Sequence, residues 1–171
     1  MEKFNTIEKK WISSLKSNDP QLILPVLLEI KNSGSVNLLP DLLAMVNKNT
    51  DQQVRNEILK FLTEMKSKEA APIIAESLHK DGYGDYLPAL LAACWQSGLD
   101  FSKHLRVFAG IFIRGDYLAA LESFTVIEES IPNATDNDIL ECIRFLREAE
   151  CMVSDEKMPL FNELKKVVES Y

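Results

Sequence analysis

The chain has 171 residues, 46% of them hydrophobic and 26% charged, with 6 Gly and 7 Pro; that composition suits one globular domain with a sizeable core and argues against disorder. The formal charge is −7, and it is uneven: residues 1–85 carry 11 basic and 12 acidic side chains, residues 86–171 carry 8 and 14. An acidic body repels phosphate, which counts against DNA or RNA as a partner, and no run of about 18 apolar residues offers a membrane span.

The predicted elements are ten helices in five antiparallel pairs. The first pair covers about 2–17 and 19–32, split at Ser17-Asn18-Asp19-Pro20, where Asn or Asp caps a helix with Pro in its first turn. Gly34 is placed for a left-handed cap that closes this pair. The second pair covers about 36–48 and 51–66, with Thr50 or Asp51 as the internal cap. The third covers about 69–80 and 84–97, parted at Asp81-Gly82-Tyr83-Gly84 and closed by Gly98. Pair four covers about 101–113 and 116–130, the latter with a helical rhythm of Tyr117, Ala120, Leu121, Phe124, Ile127 and Ile131, stopped by Pro132-Asn133. Pair five covers about 136–152 and 156–170, opened by Thr135 or Asp136, with Pro159 tolerated in the last helix's first turn. No alternating β-branched run competes, so the chain reads as all-α.

Hydrophobic positions superpose on a 32-residue shift. Leu22, Val54 and Tyr86 coincide; so do Val26, Ile58 and Leu90, then Leu27, Leu59 and Leu91, then Ile30, Leu62 and Cys94. Within a copy their spacing of i, i+4, i+5 and i+8 marks one stripe of a helix. Upstream, Leu39-Pro40 returns as Ala71-Pro72, Leu43 as Ala75, and Val46 as Leu78. A two-helix unit at a fixed period of 20–50 residues is the mark of a solenoid, whose stacked surface binds partners. The units fall at roughly 2–34, 35–67, 68–98, 99–132 and 133–171, with the register loosening after residue 100.

Leu39-Pro40-Asp41-Leu42-Leu43 followed by Asp51-Gln52-Gln53-Val54-Arg55 resembles a HEAT repeat, with its early Pro in the first helix and Asp-x-x-Val-Arg opening the second. Pro72 repeats the first feature; Asp19-Pro20-Gln21-Leu22 keeps only part of the second, with Ile23 in place of Arg, and in the third copy Tyr86 replaces the Val and Leu87 the Arg. The resemblance implies a right-handed α-α superhelix of about five pairs, with second helices on the concave side and Asp51 and Arg55 in a charged ladder between neighbouring repeats.

Chemistry is sparse. Glu76-x-x-His79 matches half of a di-iron helix signature and has no second copy; His79 reads as a helix-end residue, favourable at a C-terminal dipole. Cys94 falls on a core position taken elsewhere by Ile30 and Leu62, which opposes a nucleophilic role. Asp136/Asp138 and Glu128/Glu129 lack the loop spacing of a calcium site and read as solvated helix ends. Phosphate-binding glycine motifs and Cys-x-x-Cys pairs are absent. No enzyme activity, cofactor or metal is therefore expected.

On the expected concave side the period sets three rows: Leu24, Asn56 and Pro88; Leu28, Lys60 and Ala92; Lys31, Thr63 and Trp95. Helix 19–32 is apolar nearly all round, and burial by neighbours on both sides is the expectation. Asn56, Lys60, Tyr83, Tyr86 and Trp95 are the candidate partner-binding residues, since Tyr and Trp are frequent binding anchors. The resulting expectation is a non-enzymatic scaffold or adaptor for a protein or peptide partner. Two alternatives share the fold: a HEAT-like DNA glycosylase, disfavoured by the acidic charge, and a subunit self-associating through helix 19–32. Three cysteines and a polar start at Met1-Glu2-Lys3-Phe4-Asn5 lead to a cytoplasmic expectation.

Overall fold

In a computed structural model, residues 6–80 and 82–171 are described, and every regular element among them is helical. The helices are α1 (Thr6–Leu15), α2 (Pro20–Ser33), α3 (Leu39–Ala44), α4 (Gln52–Thr63) and α5 (Ala70–His79). They continue as α6 (Leu87–Ser97), α7 (Leu105–Arg114), α8 (Tyr117–Ser130), α9 (Asp136–Ala149) and α10 (Met158–Glu169). Short 3₁₀ turns at Gly84–Tyr86, Ser102–His104 and Glu150–Met152 take the places where the sequence predicts longer helices, and another at Ile131–Asn133 falls on the predicted stop after α8. No described helix is long and apolar enough to cross a membrane.

The boundaries follow from local chemistry. Asp19 caps α2 by accepting from the Gln21 amide at 2.9 Å, with Pro20 in the first turn. Asp51 caps α4 from the Gln53 and Val54 amides. Thr135 and Asp138 form a reciprocal capping box on α9. Gly34 and Gly98 end α2 and α6 in the left-handed region, at φ 69° and 68°, which a side chain would strain. The part of the first predicted helix before Thr6 lies outside the described residues, as does Asp81 in the third pair's turn.

One helix is far shorter than predicted. In place of 36–48, α3 holds six residues. Asn47 is the reason: its amide donates to the Ala44 carbonyl at 2.8 Å, and its side-chain oxygen accepts from the Asn49 backbone. An Asn side chain that serves the backbone in this way replaces the next helical turn.

Packing runs along the chain. Among the even-numbered helices, α2 contacts α4, α4 contacts α6, α6 contacts α8 and α8 contacts α10. Among the odd-numbered ones, α3 contacts α5, α5 contacts α7 and α7 contacts α9. The pairs α1–α2, α7–α8 and α9–α10 also meet directly. One contiguous core lies along these contacts, and its largest fully buried side chains include Phe101, Phe108, Phe112, Phe161, Ile30 and Ile58. Phe101 and Phe108 meet edge to face at 5.2 Å.

The 32-residue rows are mostly core. Val26, Ile58 and Leu90 are buried, as are Ile30, Leu62 and Cys94, and upstream Leu39 with Ala71, Leu43 with Ala75, and Val46 with Leu78. Three positions depart, and one of them, Tyr86, is half-buried. Leu22 is exposed where Val54 is fully buried, and Leu59 is only half-buried on the edge of its stripe. The expected burial of helix 19–32 on both sides is also corrected: Leu22 and Leu28 are 52% and 59% exposed. Among the described residues α2 packs mainly against α1 and α4. Tyr117 and Leu121, part of the apolar rhythm of α8, are exposed as well, whereas Ala120, Ile127 and Ile131 are buried.

Candidate functional site

The outer side of the even-numbered helices is a face of exposed and half-exposed side chains. Leu28 on α2, Asn56 and Lys60 on α4, Trp95 on α6, and Leu118 and Leu121 on α8 are exposed; Leu24, Thr63, Pro88 and Ala92 are half-buried between them. Polar contacts fix successive helices of this face. Lys31 pairs with Glu64, joining α2 to α4 and holding the Glu64 carboxyl below its usual range. The Trp95 indole N–H donates to Glu122 at 2.7 Å, joining α6 to α8. Leu118 and Leu121 extend the face beyond the residues expected to form it. The period slips after residue 100, so a strict 32-residue shift does not find them.

Asn56, Lys60 and Trp95 therefore share one face, and the two tyrosines do not. Tyr86 lies beneath Arg55, whose guanidinium carbon is 4.9 Å from the ring centroid. The same guanidinium donates to the carbonyls of Asn47, at 3.2 Å, and Thr50. The implied Asp51–Arg55 ladder takes a different form here: Asp51 caps its own helix, and Arg55 joins the α3–α4 loop to the start of α6. Tyr83 is half-buried; its hydroxyl donates to the Ser77 carbonyl at 3.2 Å, and burial pushes its pKa up. Tyr83 borders a cleft of about 490 Å³ together with Lys80, Asp85, Arg114 and Asp116.

Two further clefts lie on the side of the odd-numbered helices. One, of about 620 Å³, spans α5, α7 and α9, with Pro72, Glu76 and His79 facing Arg106, Val107, Gly110 and Phe145. The other, of about 650 Å³, lies among the loops that precede α5 and α7, with Lys66, Lys68, Asp100 and Lys103 on its walls. Pro72 and His104 border both, so the two adjoin. His79, read from the sequence as a helix-end residue, is the exposed last residue of α5, and its carbonyl accepts from Arg114 at 3.2 Å.

Half-burial lowers the pKa of His104, against opposing fields from Asp100 and Asp138. A folded-state pKa below the unfolded value of 6.5 means that the unfolded chain binds the proton more readily. The stability tied to His104 is therefore complete above about pH 6.5 and is lost as pH falls through the folded-state pKa. Denaturant melts at about pH 7.5 and about pH 5.5 should show a smaller acid loss for His104→Gln than for wild type; an equal loss would contradict the assignment.

The cysteines divide sharply. Burial pushes the Cys94 and Cys142 thiols up to about 12, so both are protonated and unreactive at neutral pH, whereas Cys151 is exposed. Among the described residues no three of His, Cys, Asp or Glu converge as a metal cage.

Two cationic groups that serve helix ends have no counterpart in the sequence reading. Arg114 of α7 donates to the Leu78 and His79 carbonyls at the end of α5. Lys157, 5% exposed, donates from one ammonium to the carbonyls of Phe112, Ile113 and Gly115 at the end of α7, at 3.0, 2.6 and 2.7 Å. Desolvation lowers the pKa of Lys157, and the carboxylates of Asp116 and Glu156 oppose that shift. Local pattern carries no signal for either contact, because the partners lie 35–36 and 42–45 residues away.

Comparison with protein families, with curated proteins and with solved structures finds no match to this chain.

Proposed function

We propose that the chain is a short HEAT-like α-solenoid that acts as a non-enzymatic scaffold, binding a protein or peptide along the outer side of its even-numbered helices. The observation that carries this reading is the face just described. Leu28, Trp95, Leu118 and Leu121 are large apolar side chains left exposed on three helices, with the polar side chains of Asn56 and Lys60 on α4 among them. Exposed apolar groups clustered with polar neighbours are typical of interaction surfaces. The helix contacts, each helix to the next but one in sequence, together with the 32-residue equivalence of buried rows, support the solenoid part of the proposal. Asn56, Lys60 and Trp95 are its binding residues. Tyr83 and Tyr86 are better read as structural, because both are half-buried against the core whereas Trp95 is exposed.

Affinity capture from the source cell should compare wild type with the double variant Lys60→Glu/Trp95→Ala, after thermal melts have shown both to be folded. The variant is expected to lose specific proteins that the wild type retains. Identical capture lists would overturn the assignment of this face.

A second reading rests on Leu22 and Leu28, both exposed on α2: a subunit that self-associates through that helix. Sedimentation over a range of concentrations separates the two, since a strict monomer removes the second reading and leaves the first standing.

A further inference from the structure

We infer that the two adjoining clefts on the odd-numbered side together form a groove that is a second binding site, which takes an extended acidic peptide segment of a partner protein with an aromatic or aliphatic residue beside its carboxylates. The site is separate from the even-numbered face and does not rest on that proposal. Its charge is the first argument. In a chain of formal charge −7, four cations border this groove, Lys66, Lys68, Lys103 and Arg106, against the two carboxylates Glu76 and Asp100. The groove is thus locally positive with both histidines counted as neutral. A cationic channel in an anionic body concentrates field on an acidic segment and repels basic ones.

The second argument is that most of these cations are uncommitted. Among the described residues, no ion pair joins Lys68, Lys103 or Arg106 to a carboxylate. Lys66 donates to the Ser97 carbonyl at 3.0 Å and retains its charge there. Arg106 is pre-set: its guanidinium lies over the Phe145 ring, 5.6 Å from the centroid. A planar fork stacked on an aromatic ring loses little freedom when it takes a carboxylate in bidentate fashion.

The third argument is the lining between the charges. Pro72, Val107 and Phe145 give the groove an apolar floor, and Gly110 keeps it open where a longer side chain would stand. A Cβ at Gly110 would lie 3.8 Å from the Phe145 ring and 3.5 Å from the Arg114 guanidinium. Such a floor accepts an apolar side chain next to carboxylates held by Arg106 and Lys103. From Pro72 to His79 the groove follows about 10 Å of helix at 1.5 Å per residue. With its extension toward Lys68 it suits about four to six residues of extended chain. A nucleic acid fits less well: Glu76 and Asp100 interrupt the cations, and the half of the chain beyond residue 85 repels phosphate.

The test uses random hexapeptides displayed on phage and selected on the wild-type chain, followed by fluorescence anisotropy of the selected peptides labelled with fluorescein. The expected selection is rich in Asp and Glu beside Phe, Leu or Ile, and its binding weakens as salt rises from about 50 to about 300 mM. The charge-reversal variant Lys103→Glu/Arg106→Glu should bind these peptides about tenfold or more weakly, with Lys103→Gln/Arg106→Gln in between and all variants melting as wild type does. Lys60→Glu/Trp95→Ala should bind them unchanged, which separates this site from the even-numbered face. A selection without acidic enrichment, no selection at all, or equal affinity in the charge-reversal variant would overturn the inference. So would tighter binding of a labelled single-stranded oligonucleotide than of the peptides.

Discussion

Ile58→Ala is expected to cost about 2–5 kcal/mol of unfolding free energy, whereas Lys60→Ala should change it by about 0.5 kcal/mol or less. Ile58 is fully buried on the core side of α4, a helix held between α2 and α6. Truncation removes its transfer free energy and leaves a cavity that two flanking helices prevent from collapsing. Lys60, two residues along, is on the exposed face and has neither effect. Leu59 is half-buried, so Leu59→Ala should fall between them. Urea melts of the three single variants give the comparison; equal losses at 58 and 60 would mean that the helical register is wrong.

That ordering shows what the residue pattern carried. Buried rows were legible wherever a helix has a like neighbour on either side, because the same environment then recurs every 32 residues. Ile58 and Leu62 follow the rule. Leu22 breaks it, exposed on α2 where Val54 on α4 is held between two like helices, whereas Leu28 keeps the register and is exposed like Lys60 one period on. Asn56, Lys60 and Trp95 were placed together by helical spacing alone. Tyr83 and Tyr86 were grouped with them by residue type, and residue type is silent about direction. Tyr86 and Trp95 are nine residues apart, half a turn out of phase at 100° per residue, so even one continuous helix over 84–97 would not present both on a single face. The groove between α5, α7 and α9 went unread because its cations come from segments far apart in sequence.

Lys157→Met should lower unfolding free energy by about 2–4 kcal/mol, or a fall in Tm of about 2–4 °C for each kcal/mol lost in a chain of this size. Three carbonyls at the end of α7 depend on this one ammonium, and the substitution leaves them without it in a site where Lys157 itself is 5% exposed. Met preserves much of the apolar stem, so the loss reports the charge and its hydrogen bonds rather than packing. Lys157→Arg should not restore stability, because a planar fork does not match three carbonyls converging on a point. The turn has little room to adapt. A Cβ on Gly115 would lie 2.7 Å from the Ala119 Cβ and 2.9 Å from the Ile111 carbonyl oxygen, so the α7–α8 connection is held close. Calorimetry of both variants makes the measurement; a loss below about 0.5 kcal/mol would show that water replaces the ammonium at no cost.

The chain-wise helix contacts bear on how this molecule yields. The even-numbered helices touch in series, α2 to α4 to α6 to α8 to α10, so a disturbance at α2 reaches α8 through every intermediate interface. Interactions of short sequence separation close early in folding, since little loop entropy opposes them. They also let an end open while the middle stays shut. α1 and α2 can therefore detach at less cost than α6, α7 and α8, which share the most interfaces. The helices that share the most interfaces thus hold the middle of the chain while its first helices open and close.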